Sequence, residues 1–440
     1  MDARKRKANG GHLHRPLKGG VIGAIDVGSS KIACLILKPL QTRVGADPKF
    51  SVLGFGQQVS RGVRAGNVVD INAAEVSIRA AVEQAERMAG LFLKDAYVGI
   101  ACGNPQSRAL NVEVAIAGGE VTEADLQRTI SVGRAQIPAS DREVLHCMPG
   151  SYAIDGSRGI RNPLGMIGQT LGVSLNVVSA NSGALKNLSA CVGRCHLSVA
   201  GKAVSAYASG LATLIADEIE LGATVIDMGG GTTSIAVFMD GGLVFTDVLP
   251  VGGNHVTSDI ARGLSTSLAQ AERLKTLFGS ALSGPNDGRE MLPLQQIGDD
   301  EDDGESQIPR SVLTGVIQPR LEETLEIVRD RLAGVGLASI SARRVVLTGG
   351  ASQLNGAREI ASRVLSKQVR LGKPVQLSSA ADLVSGASFA ACAGLATWAA
   401  QRPKELQNFS ESGDADELSY ANAVASKGIV GIKRWFKENF

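Results

Sequence analysis

From Val21 onward the chain alternates short apolar runs with amphipathic stretches. Residues 21–27 and 31–37 are apolar runs joined by Gly28, Ser29 and Ser30, which predicts a β-hairpin. Within 72–89, Val76, Ile78, Ala81, Val82, Ala85 and Met88 fall close to helical spacing, and 95–102 reads as a strand. Between 103 and 180 two short strands, 111–116 and 171–178, flank a helix that opens at the capping pattern Thr122-Glu123-Ala124-Asp125. That stretch is expected to be an inserted subdomain. Helices are expected over 183–192 and 205–215, and 223–238 again reads strand, turn, strand. Further helices are expected over 257–263, 267–278 and 310–332, the last in spite of Pro319. A strand over 343–347 runs into Thr348-Gly349-Gly350, with helices over 356–365 and 386–399 behind it. Alternating strands and helices make the fold class α/β.

The remaining stretches are polar. Residues 1–20 are basic and glycine-rich, with Arg4, Lys5, Arg6 and Lys7 together, and read as disordered. Residues 281–309 hold glycine, proline and the acidic run Asp299, Asp300, Glu301, Asp302 and Asp303, and are expected to be a mobile surface loop. Residues 401–426 have the composition of a linker.

A chain of 440 residues is too long for one ordinary core. Hydrophobic residues at 44% and charged residues at 20% describe a folded protein. A net charge of only +2 argues against a nucleic-acid binder working through overall charge. The six cysteines form no disulfide framework; Cys191 and Cys195 could share a helix face before His196, but no second pair completes a metal site. They read as small buried thiols in a reducing cytosol. A basic start with no apolar stretch behind it is not a signal peptide. No apolar run reaches the ~20 residues a spanning helix needs, so membrane contact would be superficial.

Two segments about 200 residues apart look like copies of one device. Asp26 is followed by Gly28, Ser29, Ser30 and Lys31, and Asp227 by Gly229, Gly230, Gly231, Thr232 and Thr233. Each sets a carboxylate at the end of an apolar strand, then a tight turn, then a second apolar strand. Successive turn N–H groups form a concave anion site, and the glycines let backbone approach a phosphate. A carboxylate at each strand end can hold Mg²⁺ through water. A third turn, Gly349, Gly350 and Ala351, suits close packing near a nucleoside.

Three such turns in this order resemble the actin, Hsp70 and sugar-kinase superfamily. The resemblance implies an actin-like, ribonuclease H-like duplicated fold of two lobes, with ATP and Mg²⁺ in the cleft and Asp26 and Asp227 facing the metal. Glu272 and Lys275, at i and i+3 on one helix face, match a superfamily pair that reaches ribose and adenine. Several members place a Glu or Gln before the helix at Ser205 to orient water. Here Val199-Ala200-Gly201-Lys202-Ala203 has no carboxylate, which implies slow ATP turnover.

Longer stretches are similar to the bacterial cell-division family FtsA. They are Ser151-Tyr152-Ala153-Ile154-Asp155, the run from Gly159 to Gly165, the run from Gly253 to Ala261, and Val316-Ile317-Gln318-Pro319-Arg320. The resemblance covers about residues 20–400. It implies a first lobe core from 21–102, 181–220 and 375–400, and a second from 221–256 and 336–374. It also implies a subdomain over 257–335 that docks the C-terminal tail of the tubulin-like protein FtsZ, with Arg320 at a position implicated in that contact. Other division proteins, and copies of the chain itself in a filament, are further implied partners.

Residues 427–440 can be drawn as a helix. At about 100° per residue, Ile429, Ile432, Phe436 and Phe440 share one stripe with Trp435 beside it, while Arg434, Lys437 and Glu438 lie away from it. Val430 falls on the wrong side. A basic, aromatic amphipathic helix after a linker reads as an interfacial membrane anchor, and the family resemblance implies that it lies on the cytoplasmic face of the inner membrane at the division site. Docking on the chain's own core or on a partner is the alternative. The 26 linker residues span roughly 25–30 Å as a coil, enough to free the helix for a separate surface. One copy would bind weakly, and polymerisation would make attachment firm. A small-molecule kinase and a pilus-assembly relative share the fold and remain as other readings.

Overall fold

The computed structural model describes residues 20–41, 48–137, 141–297, 306–337, 344–378 and 384–401. The basic N-terminus up to residue 19, the acidic run 299–303, the linker beyond Gln401 and the amphipathic tail with Ile429, Ile432, Trp435, Phe436 and Phe440 lie outside them.

The chain opens with β1 (Ile22–Val27), β2 (Lys31–Pro39), β3 (Phe50–Val59), β4 (Val63–Arg64) and β5 (Asn67–Val68), then α1 (Ile71–Ala89) and β6 (Asp95–Ile100). Next come β7 (Gln106–Ala115), α2 (Glu123–Ala135), β8 (Arg142–Ile154), β9 (Ser157–Ile160) and β10 (Thr170–Asn181). α3 (Ser182–Arg194), β11 (Ser198–Val204), α4 (Ser205–Thr213) and α5 (Ala216–Leu221) follow. The second half holds β12 (Ala223–Met228), β13 (Thr233–Met239), β14 (Gly242–Leu249), α6 (Gly253–Gly263) and α7 (Leu268–Phe278). It continues with β15 (Met291–Leu294), β16 (Ser306–Pro309), α8 (Arg310–Gly334), β17 (Arg344–Thr348), α9 (Ala357–Leu365), β18 (Gln368–Leu371) and α10 (Ala390–Gln401).

Two five-stranded sheets share one topology. The first has the order β3-β2-β1-β6-β11 and the second β14-β13-β12-β17-β18. In each, an antiparallel meander of three strands continues into two parallel strands. The duplication read from the two acid-and-glycine segments is thus a duplication of whole sheets.

Both faces of each sheet are covered, which explains strands apolar at nearly every position. On β1, Ile25 and Val27 pack with α1 and α3 through Ile78, Val82 and Leu188, while Ile22 and Ala24 pack with Leu395 and Trp398 of α10. In the second half one core joins Ile226 and Ile235 to Ile260, Leu274, Leu325 and Ile360. The opposite face sets Val225, Ala236 and Phe238 against Ala206 and Leu214.

Strands β7-β10-β8-β9 form a separate antiparallel sheet, inserted between β6 and α3 and covered by α2. It is tied to the second sheet: Asn176 Nδ2 donates to the Leu243 carbonyl and the Thr246 N–H to Ser107 Oγ, both at 2.7 Å.

The expected loop over 281–309 is corrected. It contains the antiparallel pair β15 and β16, because Leu292 and Leu294 alternate into the core at 2% and 1% exposure. Pro293 between them faces out and donates nothing to the ladder. Helix α8 runs unbroken through Pro319. Helix α4 ends at Thr213, with Leu214 extended, and α6 begins at Gly253 instead of 257. The last helix starts at Ala390, after a 3-10 turn at Ala387–Phe389.

Candidate functional site

The two turns have the same internal bond. The Gly28 N–H donates to the Lys31 carbonyl at 3.0 Å, and the Gly229 N–H donates to the Thr232 carbonyl at 2.8 Å. Asp26 and Asp227 occupy equivalent places beside them. Asp26 is paired with Ala33 and Gly99, and Asp227 with Ser234 and Thr348.

The turns meet across the cleft. Ser30 Oγ donates to Asn254 Oδ1 at 2.7 Å. A Cβ on Gly230 would lie 1.8 Å from Ser30 Oγ, and one on Gly231 would lie 2.5 Å from Ser29 Oγ. Only glycine permits that approach. Ser29 Oγ also accepts from the Gly66 N–H at 2.9 Å.

Asp26 and Asp227 are each partly exposed as residues, yet their carboxyls are densely surrounded by protein. Desolvation raises Asp26, and it raises Asp227 to about 7, against the opposing hydrogen bond from Ser209 Oγ at 2.5 Å. Desolvation lowers the Lys31 ammonium, opposed by the charge of Asp26. Lys31 Nζ donates to the Ser388 carbonyl at 2.7 Å and lies 3.7 Å from the centre of the Phe389 ring.

The third turn closes onto the second carboxylate. Gly349 has φ 85°, and a Cβ there would lie 2.3 Å from Asp227 Oδ1. Beyond it, Gly350–Gln353 forms a 3-10 turn. On α7, Lys275 Nζ contacts Glu272 Oε2 at 2.7 Å, Thr257 Oγ1 at 2.9 Å and the Gly253 carbonyl at 3.2 Å.

A cavity of about 580 Å³ gathers Ser30, Gly230, Glu272, Lys275, Gly350 and Ala351 on one wall system. That volume lies within the roughly 300–1,000 Å³ of small-molecule sites. Gly28, Ser29, Lys31, Gly229, Gly231, Thr232, Thr233 and Gly349 do not line the cavity, nor do Asp26 and Asp227. The Thr233 hydroxyl is committed to the Val251 carbonyl at 2.8 Å. Sequence reasoning missed Asn254, Arg310, Gln353 and Asn355, which also line the cavity. The run from Gly253 to Ala261 pointed at Asn254 without giving it a role. Arg320, on α8, is paired through Nε with Asp259 and through Nη1 with Glu323 Oε2, the latter at 2.6 Å. Among the described residues no cluster of ligating side chains forms a ready metal site, and no helix is long and apolar enough to cross a membrane. Cys191 is buried and Cys195 partly buried, both free thiols.

Residues 224–394 match the family model of cell division protein FtsA, and residues 103–179 match the SHS2 domain inserted in FtsA. The latter is the β7-β10-β8-β9 insertion. The chain is 42% identical over 430 residues to cell division protein FtsA of Agrobacterium fabrum, covering 96% of this chain and 95% of that protein. Among solved structures it resembles the PilM–PilN type IV pilus biogenesis complex, with TM-score 0.61 and 16% identity over 86% of this chain and 98% of that one. It also resembles MreB5 of Spiroplasma citri bound to ADP, with TM-score 0.51 and 14% identity over 87% of this chain and 96% of that one. At those identities the structures show the fold alone, and it is actin-like. The full-length relationship goes further: this chain belongs to the FtsA family of cell division proteins.

Proposed function

We propose that the chain binds ATP with Mg²⁺ in its cleft, self-associates, and tethers FtsZ polymers to the cytoplasmic face of the inner membrane at the division site. The observation that carries this is the 580 Å³ cavity, whose wall joins Ser30 of the first glycine turn to Gly230 of the second and to Glu272 and Lys275 of α7. The donor set suits a magnesium nucleotide. Glycine turns offer backbone N–H groups to phosphates, Lys275 adds a cation, and two raised carboxyls facing one ammonium leave demand for positive charge. Asp26 and Asp227 are the residues that would hold Mg²⁺ through water, and the ion would supply positive charge against the phosphates.

Three further features support the tether. Arg320 on α8 is positioned by Asp259 and Glu323 with its side chain 28% exposed, where a partner's tail could reach it. The stripe of Ile429, Ile432, Phe436 and Phe440 with Trp435 suits an anionic lipid surface. The absence of a carboxylate over 199–203 supports slow hydrolysis and a long-lived ATP state.

The test is co-sedimentation of liposomes containing anionic lipid, with FtsZ polymers and ATP, using the full chain and a version ending at Gln401. The full chain should carry FtsZ into the lipid fraction and the shortened chain should not. Equal pelleting of the two would remove the anchor.

A further inference from the structure

Ser30 and Asn254 are 224 positions apart, yet their side chains join at 2.7 Å across the mouth of the cavity. Asn254 rides on the second glycine turn: its N–H donates to the Gly230 carbonyl at 2.7 Å, and the Gly253 N–H to the Gly229 carbonyl at 3.0 Å. Ser30 belongs to the first turn, whose Ser29 is bound to Gly66. The side-chain bond is therefore a link between two stiff supports, and both of its ends are exposed on the cavity wall.

A serine hydroxyl has one proton to donate, and an asparagine amide has two more donors beside its acceptor oxygen. An anionic phosphate between the turns competes with Asn254 Oδ1 for the Ser30 proton, because charge-assisted acceptors are stronger. Released from Ser30, the Asn254 amide can turn its N–H groups onto the same phosphate. The interlobe bond is thus exchanged for a phosphate bridge, and no covalent step is needed.

We infer that Asn254 is a specificity-determining residue of the cleft, distinguishing a nucleoside triphosphate from a diphosphate by bonding the terminal phosphate in place of Ser30. This rests on the nucleotide reading above and names the residue that makes the cleft respond to its ligand's charge state.

The test is calorimetric titration of the full chain with Mg²⁺-ATP and Mg²⁺-ADP, for wild type, Asn254→Ala and Asn254→Asp. Asn254→Ala should lose ATP affinity about tenfold while ADP affinity stays unchanged. Asn254→Asp keeps an acceptor for Ser30 but repels phosphate, so its ligand-free melting should match wild type while its ATP affinity falls further. Hydrogen exchange on ligand-free Asn254→Ala should be faster around Gly230 and Gly231, a readout independent of nucleotide. Equal losses for ATP and ADP, or none for either, would overturn the assignment while leaving the nucleotide site intact. A wild-type chain that binds neither nucleotide would remove the underlying reading and this inference with it.

Discussion

Ser209 Oγ donates a 2.5 Å hydrogen bond to Asp227 Oδ2, fixing α4 to the end of β12. Even with that donor, burial leaves Asp227 raised to about 7. An unfolded aspartate titrates near ~3.9. The native chain therefore holds a proton that the unfolded chain releases, and stability falls as pH rises from about 4 to about 7. The cost is fully present above that window. Asp227→Asn keeps an acceptor for Ser209 and removes the charge. Melting of the ligand-free protein should rise by about 2–4 °C at pH 8 and be unchanged near pH 4.

Gly230 and Gly349 are both close approaches, but with different consequences. An alanine at 230 drives a methyl into Ser30 and pushes the turns apart, so Gly230→Ala should weaken ATP binding at least tenfold with little change in melting. An alanine at 349 meets Asp227 and the Met228 carbonyl at a φ of 85°, a strained backbone as well as a clash. Gly349→Ala should cost about 1–3 kcal/mol of stability, read by chemical denaturation.

Lys275 holds three oxygens at once, one of them the Gly253 carbonyl beside the second turn. Lys275→Ala removes a cation from the cavity wall and loosens α7 from α6. Affinity for a fluorescent ATP analogue should drop by about tenfold, as expected for one charge-assisted contact.

Arg320 on α8 is engaged by Asp259 and Glu323. Arg320→Glu sets three carboxylates together and should abolish binding of an FtsZ C-terminal peptide in an anisotropy assay. ATP affinity should remain, because Arg320 does not line the cavity.

The parts legible in sequence were those whose signal is local. Asp26 and Asp227 stand out because each ends an apolar strand before a turn that needs glycine or a small hydroxyl. Helix α1 shows in its periodicity, with Asp70 capping one end and Gly90 in the left-handed region at the other. β8 is hidden in the sequence because only His146, Cys147, Met148 and Ile154 are buried along it, so no clean alternation appears. Gly201 and Lys202 interrupt the apolar pattern of β11 and hide it in the sequence. Asn254 and Arg310 reach the cavity through tertiary approach alone, which spacing cannot reveal.

The most direct measurement is titration of the full chain with Mg²⁺-ATP for Asp26→Ala and Asp227→Ala, each alone. If carboxylates from both halves of the molecule serve one nucleotide, each substitution should reduce affinity by tenfold or more. Wild-type affinity in either variant, or no ATP binding by the unaltered chain, would contradict the account.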